Sequence, residues 1–195
     1  MADFIINNGV LEKYTGEKDC IKVPEGITEI GLRAFQFSKS LRSVTVADGV
    51  TKIGRYAFFL CENLREVILP NGLTEVEREI FSFCRNLQSV TFPDSLTSMG
   101  EGIFFHCPEL RSVTLSENIS EIGKCVFAGC KSLQSIAIPV DVKKIGFNVF
   151  YGCAALSHLN YNGTKVQWEQ IEKDGLWRNG SSLKSVRCTD GEIFL

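Results

Sequence analysis

The sequence predicts a repeat solenoid, and three observations carry that prediction. A Leu recurs at Leu41, Leu64, Leu87, Leu110, Leu133 and Leu156, each 23 residues after the last. A Phe preceded by a small or branched residue recurs at the same interval, from Ala34-Phe35 to Val149-Phe150. Cys61, Cys84, Cys107, Cys130 and Cys153 keep the spacing a third time, and Ser38 holds their slot in the first unit. Three columns in one register imply that each unit shields the apolar face of the next, because so short a unit cannot bury that face alone.

Composition bounds what such an array can be. At 195 residues the chain fits a single domain, 1–195, since an array reaches this length without splitting. Hydrophobic residues make up 44% and charged residues 23%, an ordinary soluble composition. A net charge of −2 argues against a nucleic-acid binder that relies on bulk positive charge. No apolar run approaches the ~20 residues that span a bilayer, so no membrane role is expected. The opening MADFIINNGVLEKY lacks a basic region followed by an apolar one. The expected location is cytoplasmic for the chain as given, and the cell surface or outside the cell if an export signal has been removed.

Residues 1–20 stand outside the repeat. Phe4-Ile5-Ile6 and Val10-Leu11 flank Asn7-Asn8-Gly9, a strong hairpin signal. An array needs such a cap because its end otherwise exposes a raw apolar face. Six units of 23 residues follow over 21–155, the first one partial. Each opens with a short alternating segment, such as Leu41, Val44 and Val46, that suits a strand with one buried face. Identical strands one unit apart pair in parallel. Pro24, Pro70, Pro93 and Pro139 then open a turn, and a second apolar pair such as Val50 and Ile53 leads into a column of Gly. Glu77 breaks that column, which predicts a different bend in its unit. Six Phe, from Phe35 to Phe150, form the spine of the core.

After Tyr161 the register fails, and 156–195 read as a divergent last repeat with a C-terminal cap. Thr164 followed by Gln167 fits a capping box on a short helix through about Lys173. Trp168 and Trp177 read as lid packing rather than ligand stacking. Leu183, Val186 and Cys188 repeat the strand spacing once more before an Asp190-Gly191 turn.

Eight cysteines invite a metal or disulfide reading, but no C-x-x-C pair occurs and only two His exist. A column of small apolar side chains filling one niche is the simpler reading, and reduced buried thiols suit a cytosolic protein. Catalysis by a nucleophile needs a base within reach, oriented by a third group. His106 beside Cys107 is the one adjacent candidate, yet Cys107 belongs to the buried column and His106 to a loop. No phosphate-cradling loop or acidic calcium repeat is present. No catalytic residue, cofactor or metal is therefore assigned, and an enzyme, acting through His106 or His158, is the outlying alternative.

The pattern L-x-x-V-x-(L/I)-P-x-x-(V/L)-x-x-I-G-x-x-A-F-x-x-C-x-x resembles the BspA-like, or Treponema-type, bacterial leucine-rich repeat, with Leu133 to Ala155 a good match. Phe4…Asn8-Gly9-Val10-Leu11…Tyr14-Thr15-Gly16 and Tyr161-Asn162-Gly163-Thr164…Gln167-Trp168 resemble that family's two ends. The resemblance implies a leucine-rich-repeat fold, a right-handed β-rich superhelix with a parallel concave sheet, an N-terminal hairpin cap and a C-terminal helical cap. It also implies an interaction module or adhesin rather than an enzyme.

Two surfaces are expected to bind. The outward strand positions form a small, polar concave face. One column is Ser43, Glu66, Ser89, Ser112 and Ser135, and a second is Thr45, Ile68, Thr91 and Thr114. Arg42, Arg65, Gln88, Arg111 and Gln134 form a margin alongside. Ser and Thr are equally at home as solvated strand residues. Phe37, Phe59, Phe83 and Phe105 form a second candidate, an apolar flank suited to self-association or docking if they project outward rather than folding back between units. The expected function is a non-catalytic scaffold presenting its concave sheet to a protein partner, and the alternative is a cell-surface adhesin domain lacking its export signal.

Overall fold

The computed structural model describes residues 3–195, so Met1 and Ala2 of the expected N-terminal cap lie outside the described residues. The chain winds as a β-solenoid of about eight turns. It begins with the hairpin β1 (Phe4–Asn7) and β2 (Val10–Tyr14). Longer and shorter strands then alternate: β3 (Cys20–Lys22), β4 (Glu29–Ile30), β5 (Ser43–Thr45), β6 (Lys52–Ile53), β7 (Glu66–Ile68), β8 (Glu75–Val76), β9 (Ser89–Thr91), β10 (Ser98–Met99), β11 (Ser112–Thr114) and β12 (Glu121–Ile122). The last turns hold β13 (Ala137–Ile138), β14 (Lys144–Ile145), β15 (His158–Tyr161), α1 (Lys165–Gln170), β16 (Glu172–Lys173), β17 (Ser185–Cys188) and β18 (Gly191–Phe194). Longer strands pair in the order β11-β9-β7-β5-β3 and shorter ones in β1-β2-β4-β6-β8-β10. The short-strand ladder breaks after β10 and the long-strand ladder one turn later, after β11, and they resume as β12-β14-β16 and β13-β15-β17-β18. Where the short-strand ladder breaks, Ser98 and Met99 replace the charged and branched pair of β4, β6, β8, β12 and β14. The stack continues through the Phe corner, where Phe104 N–H bonds Val126 C=O at 2.9 Å.

The repeat columns fill the core. Phe35, Phe58, Phe81, Phe104, Phe127 and Phe150 are fully buried, with neighbouring centroids 4.8–5.7 Å apart and planes within 2–23° of parallel. Aromatic rings seal both ends of this column. Tyr14 of the first hairpin lies against Phe35 with Phe4 behind it, while Trp177 meets Phe150 edge-on at 6.0 Å and Trp168 follows. The two Trp are therefore lid residues, each nearly buried.

Each column thiol donates to the carbonyl of the Phe in the preceding turn, from Cys61 to Phe35 at 3.0 Å through Cys153 to Phe127 at 3.1 Å. Burial pushes the Cys61, Cys107 and Cys153 thiols up to about 12. Such sealed thiols are compatible with reducing and oxidising compartments alike.

Three local expectations are revised. Glu77 does not bend its unit: its N–H still bonds Ile53 C=O at 2.9 Å, and β8 pairs in register with β6 and β10. Its carboxylate turns outward to accept from Lys52 Nζ at 2.7 Å and Arg55 Nε at 3.1 Å. The capping box forms as read, with Thr164 accepting from Gln167 N–H, but the helix ends at Gln170, short of Lys173. Lys173 Nζ donates to the Trp168 and Ile171 carbonyls, satisfying the helix end, and its backbone joins β14 in the parallel ladder. Finally, the chain closes on an antiparallel hairpin, β17 with β18, so the C-terminal cap is a helix plus a hairpin. The Asp190-Gly191 turn had pointed to this, but Glu192-Ile193-Phe194 is too short to read as a strand.

Candidate binding surface

In β5, β7, β9 and β11 the central Val44, Val67, Val90 and Val113 are buried, so strand alternation sends the residues on either side outward. Parallel in-register pairing turns these into columns, with Ser43 opposite Glu66, Thr45 opposite Ile68, and Thr91 opposite Thr114. Ser43 and Thr45 are half-buried, whereas Glu66, Ile68, Ser89, Thr91, Ser112 and Thr114 are exposed. Ile68, 50% exposed, is the one large apolar side chain in this set. It lies in a depression of about 250 Å3 lined also by Glu66, Asn71, Ser89 and Thr91.

The Arg margin is held in line by the backbone. Arg65 N–H bonds Arg42 C=O at 2.8 Å, and Arg111 N–H bonds Gln88 C=O at 2.8 Å. Gln134 and Ser135 are exposed but precede β13, so they stand beyond the five-stranded ladder rather than on it. Sequence reading missed the opposite margin. Glu25, Asp48, Asp94 and Glu117 are exposed in one column position, which Asn71 and Val140 hold in the other two units. The long-strand face therefore runs from guanidinium through hydroxyl to carboxylate across the strands. The signal was available, since each acid stands one residue after the Pro slot.

The outer aromatic residues do form a strip. Phe37, Phe59, Phe83 and Phe105 meet edge-to-face, with centroids 5.5–6.2 Å apart and planes at 78–79°. Phe37 is 55% exposed and the other three are half-buried, so the flank is partly folded back. Two corner columns bracket it with positive φ. One holds Arg33, Tyr56, Glu79, Gly102, Cys125 and Asn148, and the other Phe37, Leu60, Phe83, His106, Gly129 and Gly152. Phe37 and Phe83 thus occupy the left-handed region that Gly takes at 129 and 152.

Among the described residues, neither His of the catalytic alternative is joined by both a nucleophile and an orienting group. Cys107 is sealed inside and donates to Phe81 C=O, whereas the His106 ring stacks on Phe83 at 5.2 Å outside. His158 Nδ1 lies 3.2 Å from Ser157 Oγ, a contact between sequence neighbours on an exposed rim. Among the described residues no group of three His, Cys, Asp or Glu gathers as metal ligands, and no helix is long and apolar enough to cross a membrane.

Comparison with known proteins bears on the whole chain. The model of the BspA type leucine rich repeat region matches in six copies over residues 6–120 and 51–174. The chain is similar to the Treponema pallidum leucine rich repeat protein, at 26% identity and TM-score 0.59, over 83% of this chain and 86% of that one. It shares its fold with a Bacteroides ovatus leucine-rich repeat protein, at 17% identity and TM-score 0.51, over 97% and 72%. The pneumococcal vaccine antigen PcpA has the same fold, at 20% identity and TM-score 0.73, and here this chain spans 92% of itself but 45% of PcpA. No curated protein matches. The family model, the 23-residue columns and the paired parallel ladders together place this chain in the BspA-type leucine-rich repeat family.

Proposed function

We propose that the protein is a non-catalytic scaffold that binds a protein partner on its long-strand face. The observation that carries this reading is the separation of constraint from freedom. Val, Leu and Phe point inward to hold the turns together, while Ser, Thr, Arg and acidic columns stand outward on a rigid, regularly spaced support. Solenoids commonly bind partners on such faces, and the family is one of typically non-catalytic scaffolds. The charge order predicts a partner with an acidic edge over Arg42, Arg65 and Arg111 and a basic edge over Asp48, Asp94 and Glu117.

The test compares three baits against extract from the source cells: the native chain, Thr91→Glu/Thr114→Glu on the long-strand face, and Thr51→Glu/Thr74→Glu on the short-strand side. Proteins captured by the first and third baits and lost from the second support the reading. Capture that survives at Thr91 and Thr114, or is lost equally at Thr51 and Thr74, overturns it.

A further inference from the structure

In the loops that follow the short strands, one positive-φ column is interrupted. It carries Arg33, Tyr56 and Glu79 in successive turns and then Gly102, with φ 61°. Gly102 lies in the wall of a cavity of about 290 Å3. A Cβ at position 102 would stand 2.9 Å from Glu79 Cγ and 3.8 Å from Phe105 Cβ, so the space depends on this Gly. The walls are the phenyl rings of Phe105 and Phe147, the carboxylates of Glu79 and Glu101, and the Lys124 and Cys125 side chains, so two acids face one cation. Phe147 is 36% exposed and Phe105 half-buried, so apolar surface faces the opening.

The two carboxylates differ. Glu101 has a cation at hand, with Lys124 Nζ at 3.8 Å. Glu79 is partly buried and accepts from the Tyr56 hydroxyl at 3.2 Å. Among the described residues, no Lys or Arg lies within ion-pair distance of it. A carboxylate without a counter-cation, beside two rings whose faces are negative, draws a cation for two independent reasons. A guanidinium suits both walls, since its flat face lies on phenyl and its fork of N–H groups matches carboxylate oxygens. An ammonium offers neither and is more strongly hydrated.

We propose that this cavity receives the guanidinium of an arginine side chain from a protein partner, at a site separate from the long-strand face. Glu79 supplies the charge, Phe105 and Phe147 the stacking surface, and Gly102 the room.

The test is a titration of the 15N-labelled chain with Nα-acetyl-arginine methylamide. Its neutral isostere Nα-acetyl-citrulline methylamide and the lysine analogue serve as controls. Saturable shifts at the Gly102 and Cys125 amides with arginine, and none with citrulline, are expected. Glu79→Gln keeps the acceptor for Tyr56 and should weaken arginine binding about threefold to tenfold, with the rest of the spectrum unchanged. Phe147→Leu, a variant that keeps apolar bulk, should weaken it similarly. No saturable shift with arginine, an equal response to citrulline or lysine, or indifference to Glu79→Gln each overturns the proposal. None of these outcomes bears on the Thr91 and Thr114 baits, so the two readings fail separately.

Discussion

The inner and outer aromatic columns are built from the same residue and obey different rules. The inner six Phe repeat at a strict interval of 23, so each ring is nearly a translated copy of the last and the rings stack almost parallel. The outer four fall alternately two residues and one residue after an inner Phe, at Phe37, Phe59, Phe83 and Phe105. The alternation staggers them, and they meet edge-to-face. Burial accounts for the contrast. A sealed column tolerates one shape at one place, whereas a partly solvated one tolerates a shift of one residue.

Removing one ring from each column measures this contrast. Phe104→Ala leaves a hole in a fully buried stack and should cost about 3–5 kcal/mol, read from the urea midpoint. An unchanged midpoint would mean that the ring is not supporting its neighbours. The thiols of the inner niche add a pH signature that the outer column lacks. Their folded pKa values lie above those of the unfolded chain, so their contribution is complete below the unfolded thiol pKa of about 8.5 and falls as pH rises toward the folded values. Cys107→Ala should start less stable but decline less steeply between about pH 8 and pH 10.5.

Outside, Phe83→Ala should cost only about 1–2 kcal/mol. The smallest and sharpest test is the next step. Ala→Gly ordinarily costs about 0.5–1 kcal/mol, but at φ 62° the penalty should vanish or reverse. Phe83→Gly melting clearly below Phe83→Ala would show that this backbone is not left-handed in solution.

The same contrast decides how much could be read beforehand. The inner Phe, Cys, Leu and Val columns were legible because a buried niche admits one size of side chain, and spacing alone then reveals it. The left-handed corners were not, because Arg33, Tyr56, Phe83 and His106 occupy a conformation that Gly usually announces. Only Gly129 and Gly152 hinted at it. The cavity beside Glu79 was hidden for a related reason, since part of its wall is Gly102, which has no side chain to announce it. On the long-strand face the Arg column could be read from its position beside the strand. The acidic margin was passed over because each acid sits in a turn, where Asp and Glu need no further explanation.

The direction of the thiol bonds has one last consequence. Each Cys reaches to the carbonyl of the turn before it, as do the Thr51, Thr74, Asn86 and Asn118 side chains. Backbone donors at the Phe corner run the other way, as from Phe104 to Val126, so every inner turn both gives to and receives from each neighbour. Neither end of the spiral is privileged by this exchange: assembly can start at any level and spread in both directions, and a turn lost from the middle strands groups on both sides of the gap.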